Sequence, residues 1–367
     1  MNKEIDRKWM GRALELAQKA RGKTSPNPMV GAVAVKNGRA VGEGYHRKAG
    51  GKHAEVLALA KSGRQAKDCD LYITLEPCCH FGKTPPCVDL IISSSVKRVV
   101  IGAKDPNPLV SGKGIHRLKS AGIEVVTGVL NRQCRELNKI FFKYIRTGMP
   151  FATLKAGMSM DGKIATAKGE SKWITGAPAR RIVHQMRSET DAILVGAGTV
   201  VKDNPQLTAR LKNGKTLYPT RVVLDNKASV PLNSKVFHRA REEKVIYFSG
   251  LETAVLRERK LKAKGVEVVK LKERKGTLPI RAVMKELAER EITSVLIEGG
   301  GEIHASALKE KVVDKIVFFF APKIIGGRNA PGVVGGEGIA RLQDALELQD
   351  IDMTNVGNDW MLEASIK

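Results

Sequence analysis

Apolar residues recur at helical spacing through residues 5–21 (Trp9, Met10, Ala13, Leu14, Leu16, Ala17), which predicts an opening helix. Two short runs, 30–36 and 39–45, flank Asn37-Gly38, a dipeptide suited to the tight turn of a β-hairpin. The pattern then gives a helix over 53–61, a strand over 71–75, a helix from 88 onward, and strands over 98–102 and 123–129. That succession predicts a three-layer α/β/α domain over residues 1–146. The turn-rich joint Thr147-Gly148-Met149-Pro150 closes it. From 150 to 367, strands over 151–156, 192–196, 221–225, 244–248, 266–271, 294–297 and 315–320 are interspersed with helices over 177–188, 280–289 and 302–310. The second domain is therefore also α/β, and neither repeats nor low-complexity tracts interrupt it.

Composition narrows the class. A chain of 367 residues, 42% of them hydrophobic, suits two ordinary globular domains. No stretch approaches the ~20 apolar residues of a membrane helix. The charged N-terminus lacks an apolar segment of the secretory kind, so a cytoplasmic, membrane-free protein is expected. Three of the five cysteines (Cys78, Cys79, Cys87) crowd together, which in such a chain points to metal rather than disulfides. The net charge of +25 raises nucleic acid as a partner. Its spread through both domains, with no basic arm, accounts equally well for attraction of small phosphorylated molecules.

The chemistry of the first domain lies in His53-Ala54-Glu55, followed by Pro77-Cys78-Cys79-His80 and then Cys87. One imidazole and two thiolates give a three-ligand zinc site with an open fourth position, the mark of a catalytic rather than a structural metal. A His-x-Glu followed by Pro-Cys and a second Cys is the ordering of zinc deaminases. In such a site zinc makes water acidic enough to ionise near neutral pH, and Glu55, beside ligand His53, is spaced to carry protons. Cys87 follows Pro85-Pro86 where a helix should begin, and a helix N-terminus favours the ligating thiolate. Cys79 competes with Cys78 as a ligand, but Pro77-Cys78 fits the pattern. The loop 80–86 between the cysteines is longer than in nucleic-acid-editing deaminases. It brings His80 and Lys83 over the metal's mouth, where a phosphate or polar substrate tail could be held.

Thr74-Leu75-Glu76-Pro77-Cys78, then His80-x-Gly82-x-Thr84-Pro85-Pro86-Cys87, and upstream Pro26-Asn27-Pro28-x-Val30-Gly31 resemble the bifunctional riboflavin-biosynthesis deaminase/reductases. The resemblance covers essentially the whole chain. It implies a cytidine deaminase-like first domain acting on a diaminopyrimidinone that carries a ribosylamino 5′-phosphate. It also implies that Asn27, His46, His80, Lys83, Asp105 and Asn107 line the substrate pocket. On its own, Asp105-Pro106-Asn107-Pro108 reads only as a turn after a strand.

In the second domain the dinucleotide fingerprint fails: Val201 and His304 stand where the third glycine would be. Gly299-Gly300-Gly301 between a strand and a helix is either an anion site or simply a tight turn. The same family resemblance extends here, over Lys155-Ala156-Gly157-Met158-Ser159-Met160-Asp161-Gly162-Lys163, Gly169-Glu170-Ser171-x-Trp173, Val195-Gly196-Ala197-Gly198-Thr199 with Asp203, Leu207 and Arg210, and Glu298-Gly299-Gly300-Gly301. It implies a dihydrofolate reductase-like fold that uses NADPH. Gly157, Trp173, Thr199, Asp203, Gly299, Gly300 and Gly301 would contact the cofactor, and Ser171, Arg187, Leu207, Arg210 and Glu298 the substrate. Two arginines suit a 5′-phosphate through paired hydrogen bonds. Lys155 and Asp203 are the candidates for polarising the substrate or donating a proton. The expectation is a bifunctional, homo-oligomeric enzyme that takes phosphorylated pyrimidines and no nucleic acid. The rival is a nucleic-acid deaminase with an appended binding domain, with a zinc-stapled RNA-binding protein behind it.

Overall fold

The computed structural model describes residues 3–81, 85–274 and 276–367. It divides into two compact units, Met1–Met149 and Pro150–Lys367.

The first unit runs α1 (Lys3–Gln18), β1 (Gly31–Lys36), β2 (Arg39–Tyr45), α2 (Ala54–Ser62), β3 (Asp70–Leu75), α3 (Cys87–Ser93), β4 (Arg98–Ala103), α4 (Lys113–Ser120), β5 (Glu124–Thr127), α5 (Asn131–Leu137) and α6 (Lys139–Thr147). Its sheet has the order β2-β1-β3-β4-β5. The β1/β2 and β1/β3 pairs are antiparallel, and β3/β4 and β4/β5 are parallel. Side chains alternate across a strand, and that alternation divides the core. Ala32 and Ala34 of β1 pack with Leu71, Ile73, Val99 and Ile101 beneath Ala58, Val88, Ile91 and Leu118 of α2, α3 and α4. Val33 and Val35 face the other way with Tyr72 and Val100, against Met10, Leu14, Cys134 and Phe142 of α1, α5 and α6. The unit is thus three-layered. A buried ion pair fastens α1 to the sheet: the Arg98 guanidinium donates to Asp6 at 3.0 and 2.5 Å, and the Tyr72 hydroxyl donates to the same carboxylate at 2.9 Å.

The second unit runs β6 (Phe151–Ser159), α7 (Ala177–Ser188), β7 (Ala192–Gly196), α8 (Ala197–Asp203), β8 (Ala209–Arg210), β9 (Thr216–Leu217), β10 (Thr220–Leu224), β11 (Val245–Gly250), α9 (Val255–Ala263), β12 (Glu267–Leu271), α10 (Ile280–Glu289), β13 (Ser294–Ile297), α11 (Gly301–Lys309), β14 (Lys315–Ala321), β15 (Leu348–Val356) and β16 (Asp359–Ile366). The large sheet has the order β12-β11-β10-β7-β13-β6-β14-β16-β15. From β12 to β14 the pairs are parallel, and β16 and β15 run antiparallel. Every residue of β7, β11 and β13 is buried, as strands covered on both faces require. The carboxyl ends of β6, β7 and β13 open on one edge, the position where α/β sheets hold ligands.

Several elements go beyond the sequence pattern. The opening helix ends at Gln18 rather than 21. Helices α4, α5, α6, α8 and α9 and the hairpin β15–β16 were not among the expected elements. In β15 only Val356 is buried, so the strand shows no burial pattern to read; its cue is the turn at Gly357-Asn358. Among the described residues no helix is long and apolar enough to cross a membrane.

Candidate active sites

In the first unit three element ends meet. His53 caps α2, Cys78 follows β3, and Cys87 opens α3. Their donor atoms lie within 4.8 Å of one another. His53 Nδ1 is 3.1 Å from Cys87 Sγ and 3.6 Å from Cys78 Sγ. Those separations approximate the edge of about 3.5 Å expected between ligands of a tetrahedral metal with bonds of ~2.0–2.3 Å. The Cys87 amide donates to Cys78 Sγ at 3.3 Å. Cys78 is drawn down to about 4, first by the hydrogen bond from Cys87, with burial opposing. Cys87 is pushed up by the same bond, so the two sulfurs share a proton that a divalent cation would displace. Sulfur, sulfur and imidazole, with a carboxyl alongside, fit zinc. That carboxyl is Glu55, in the first turn of α2 and 3% exposed. Burial pushes its pKa up, against the pull of the His53 imidazolium.

Around this cluster, Asn27 Nδ2 lies 3.1 Å from His46 Nε2. The His46 ring stands edge-on to His53, with centroids 5.3 Å apart. His80 has its Nδ1 buried without a hydrogen-bond partner among the described residues. Asp105 and Asn107 occupy the loop after β4; the Asn107 amide donates to Asp105 Oδ1 at 2.8 Å, and the Leu109 amide to Asn107 Oδ1 at 3.0 Å. Burial lifts the Asp105 carboxyl to about 6, with the Asn107 amide opposing. Lys83 lies outside the described residues. Glu76 is a residue the sequence reading left without a role. It is buried, and its carboxylate accepts three backbone N–H groups from the Asp105 side of the site.

In the second unit the centre is Glu298, at the end of β13, with its side chain 7% exposed. Arg187 Nε and Nη2 donate to its two oxygens at 2.6 and 2.9 Å, and Lys155 Nζ donates at 3.3 Å. Burial acts to raise the Glu298 carboxyl, but Arg187 and Lys155 outweigh it and hold it down at about 2. Arg187 also donates to the Thr208 carbonyl at 3.0 Å, so it is committed within the protein; Arg210 is the exposed member of the two arginines. Arg210 reaches Thr208 Oγ1 at 3.0 Å and His184 Nε2 at 3.1 Å. Leu207 packs its side chain into the core with Ile193 and Val200.

The Ser171 hydroxyl donates to Asp203 Oδ1 at 2.9 Å. Trp173 is 63% exposed, with the Arg180 guanidinium 4.5 Å over its ring. Gly157 on β6 faces Thr175. Thr199 turns its hydroxyl toward Gly300, and α11 begins at Gly301. A Cβ at Gly301 would stand 2.7 Å from the Gly332 carbonyl, so the turn tolerates only glycine there. The segment after β14 closes over this turn: the Gly335 amide donates to Gly301 O at 2.9 Å, and His304 Nδ1 lies 2.7 Å from Val333 O. Nothing in the sequence pattern announced that lid-like segment, which has no periodicity.

Comparison with known proteins matches the two units separately. A family described as the RibD C-terminal domain matches residues 150–362, and one described as the cytidine and deoxycytidylate deaminase zinc-binding region matches residues 3–103. The chain belongs to the RibD family. The riboflavin biosynthesis protein RibD of Aquifex aeolicus is 46% identical over 362 residues, 99% of each chain. That of Bacillus amyloliquefaciens is 47% identical over 356 residues, 97% of this chain and 95% of its own. Among solved structures, Acinetobacter baumannii RibD, form 1, superposes with a TM-score of 0.90 at 36% identity over the whole of both chains. A Thermotoga maritima protein described as a diaminohydroxyphosphoribosylaminopyrimidine deaminase/5-amino-6-(5-phosphoribosylamino)uracil reductase gives 0.85 at 38% identity, covering 100% of this chain and 99% of that one. The fold is thus a cytidine deaminase-like unit followed by a RibD reductase unit. The chain is an enzyme of riboflavin biosynthesis with a zinc-dependent deaminase half and an NADPH-dependent reductase half.

Proposed function

We propose that the deaminase half hydrolyses the ring amine of 2,5-diamino-6-(5-phosphoribosylamino)pyrimidin-4(3H)-one, and that the reductase half then reduces the resulting phosphoribosylaminouracil to its ribitylamino product. The convergence of His53, Cys78 and Cys87 beside the buried Glu55 carries the reading. His53, Cys78 and Cys87 hold the metal, which when bound activates water at neutral pH. Glu55 takes the proton released on attack and hands it to the ring nitrogen and then to the departing amine. Asn27 and His46, hydrogen-bonded to each other, and Asp105 and Asn107 on the facing loop orient the pyrimidine. His80 and Lys83 hold its polar tail.

In the second half the cofactor, when bound, would supply the hydride that reduces C1′ of the opened ribosylamine. Trp173, Thr199, Asp203, Gly157 and the turn Gly299–Gly301 cradle the cofactor. Ser171, Leu207, Arg210 and Glu298 meet the substrate, with Arg187 bracing Glu298 by its bidentate pair. Lys155 polarises the sugar oxygen and Asp203 passes a proton through Ser171, a reading supported by the Lys155–Glu298 contact at 3.3 Å and the Ser171–Asp203 hydrogen bond at 2.9 Å. The five free cysteines suit a cytoplasmic enzyme. The exposed apolar residues Leu348, Ile351 and Met353 on edge strand β15 suit a homo-oligomer.

Glu55→Gln tests the division of labour. Zinc content and reduction of the deaminated intermediate should persist while deamination is lost; loss of both reactions together would refute two independent sites.

A further inference from the structure

Glu76 stands at the end of β3, directly before Pro77-Cys78, and is 3% exposed. A carboxylate has acceptors only, and this one spends them on backbone. Its Oε2 accepts the amides of Asp105 at 3.2 Å and Gly112 at 3.0 Å, and its Oε1 accepts the amide of Ile115 at 3.2 Å. Its own amide donates to the Ala103 carbonyl at 2.9 Å. Gly112, the residue capping α4, offers no side chain to the orphan N–H groups of that helix. Glu76 supplies the missing cap from another strand. Contact between the two segments is also steric: a Cβ at Gly114 would lie 2.4 Å from the Pro77 carbonyl.

The turn that carries Cys78 and the loop that carries Asp105 and Asn107 are therefore pinned together at both ends by one side chain. Between the pins the loop is held by its own bonds, Asn107 to Asp105, Leu109 to Asn107 and Val110 to the Asn107 carbonyl at 2.8 Å. We propose that Glu76 is a positioning residue of the deaminase: through the amides of Asp105, Gly112 and Ile115 it fixes the substrate-binding loop relative to Cys78. The proposal rests on the reading of Asp105 and Asn107 as substrate contacts.

The experiment uses the full-length zinc-loaded protein with Glu76→Gln, which keeps the shape and one acceptor oxygen, and with Glu76→Asp, which keeps both oxygens on a shorter arm. Three readouts are taken: zinc stoichiometry, hydrogen exchange across 105–115, and deaminase KM and kcat. The expected result is unchanged zinc, exchange at the three amides about tenfold faster, and KM raised about tenfold with kcat within about threefold, as loss of one buried charge-assisted bond predicts. Unchanged exchange in both variants overturns the proposal. So does faster exchange with an unchanged KM where Asp105→Asn raises KM, and so does loss of zinc while the loop stays protected. If Glu76→Gln does not fold, Glu76→Asp is read by the same criteria. An Asp105→Asn control separates the two claims. If it leaves KM unchanged, Asp105 is not a substrate contact, and the exchange data still decide whether Glu76 braces the loop.

Discussion

Replacing Glu298 with Gln removes the negative charge that faces Arg187 and Lys155 while keeping the side chain's shape. The wild-type carboxyl is held at about 2 against an ordinary value of 4.5. That difference corresponds to about 3 kcal/mol of folding stability. With the side chain 7% exposed, solvent screens little of it. Removing one partner of a buried ion pair typically costs about 3–5 kcal/mol, the same range. For a unit of this size the loss lowers Tm by about 6–12 °C. Because the folded-state value lies below the unfolded one, the stabilisation is complete above about pH 4.5 and drains away as the pH falls toward 2. Thermal unfolding of wild type and Glu298→Gln should therefore differ most at neutral pH and converge in acid. The transition of the deaminase unit in the same chain serves as an internal reference. A difference below about 1 kcal/mol at pH 7, or one that widens as the pH falls, would refute an energetic role for the Arg187–Glu298–Lys155 cluster.

Two further outcomes follow from other buried carboxylates. Asp105, lifted to about 6 by burial, is charged above that pH and neutral below it. Deaminase KM should change across about pH 5–7 in the wild type, and Asp105→Asn should remove the break near 6 from that profile while leaving the contribution of the substrate phosphate; superimposable profiles would remove Asp105 from the site. Asp6→Ala strands the Arg98 guanidinium, 9% exposed in its side chain, and takes the acceptor from the Tyr72 hydroxyl. Urea unfolding should report about 3–5 kcal/mol lost from the first unit, and a loss under about 1 kcal/mol would show that Asp70 and Glu124 suffice as partners for Arg98.

The continuous apolar runs of β1, β3 and β4 were legible because each strand buries both faces against helices, so most positions are apolar. Strand β15 was not, because it packs so little that its residues carry no burial signature. The same contrast runs through the sites. His53, Glu55, Cys78 and Cys87 could be named from spacing, since ligand chemistry restricts residue type at each position. Arg187 was expected to meet a phosphate, and only the fold shows its guanidinium turned onto Glu298, more than a hundred residues away in the chain. Glu76 lies within Thr74-Leu75-Glu76-Pro77-Cys78, yet nothing local distinguishes a carboxylate that caps a distant helix from one that faces solvent.

By itself the sequence pointed to the zinc ligands and the hydrolytic chemistry of the first unit, while the reductase chemistry of the second was read only through the family resemblance. These are matters of residue type and short spacing, which one-dimensional patterns record. Tertiary structure decided which charges neutralise one another and which backbone amides a side chain satisfies. Such pairings join strand ends that are far apart in the chain, and burial sets their strength, so they exist only once the sheet has brought those ends together.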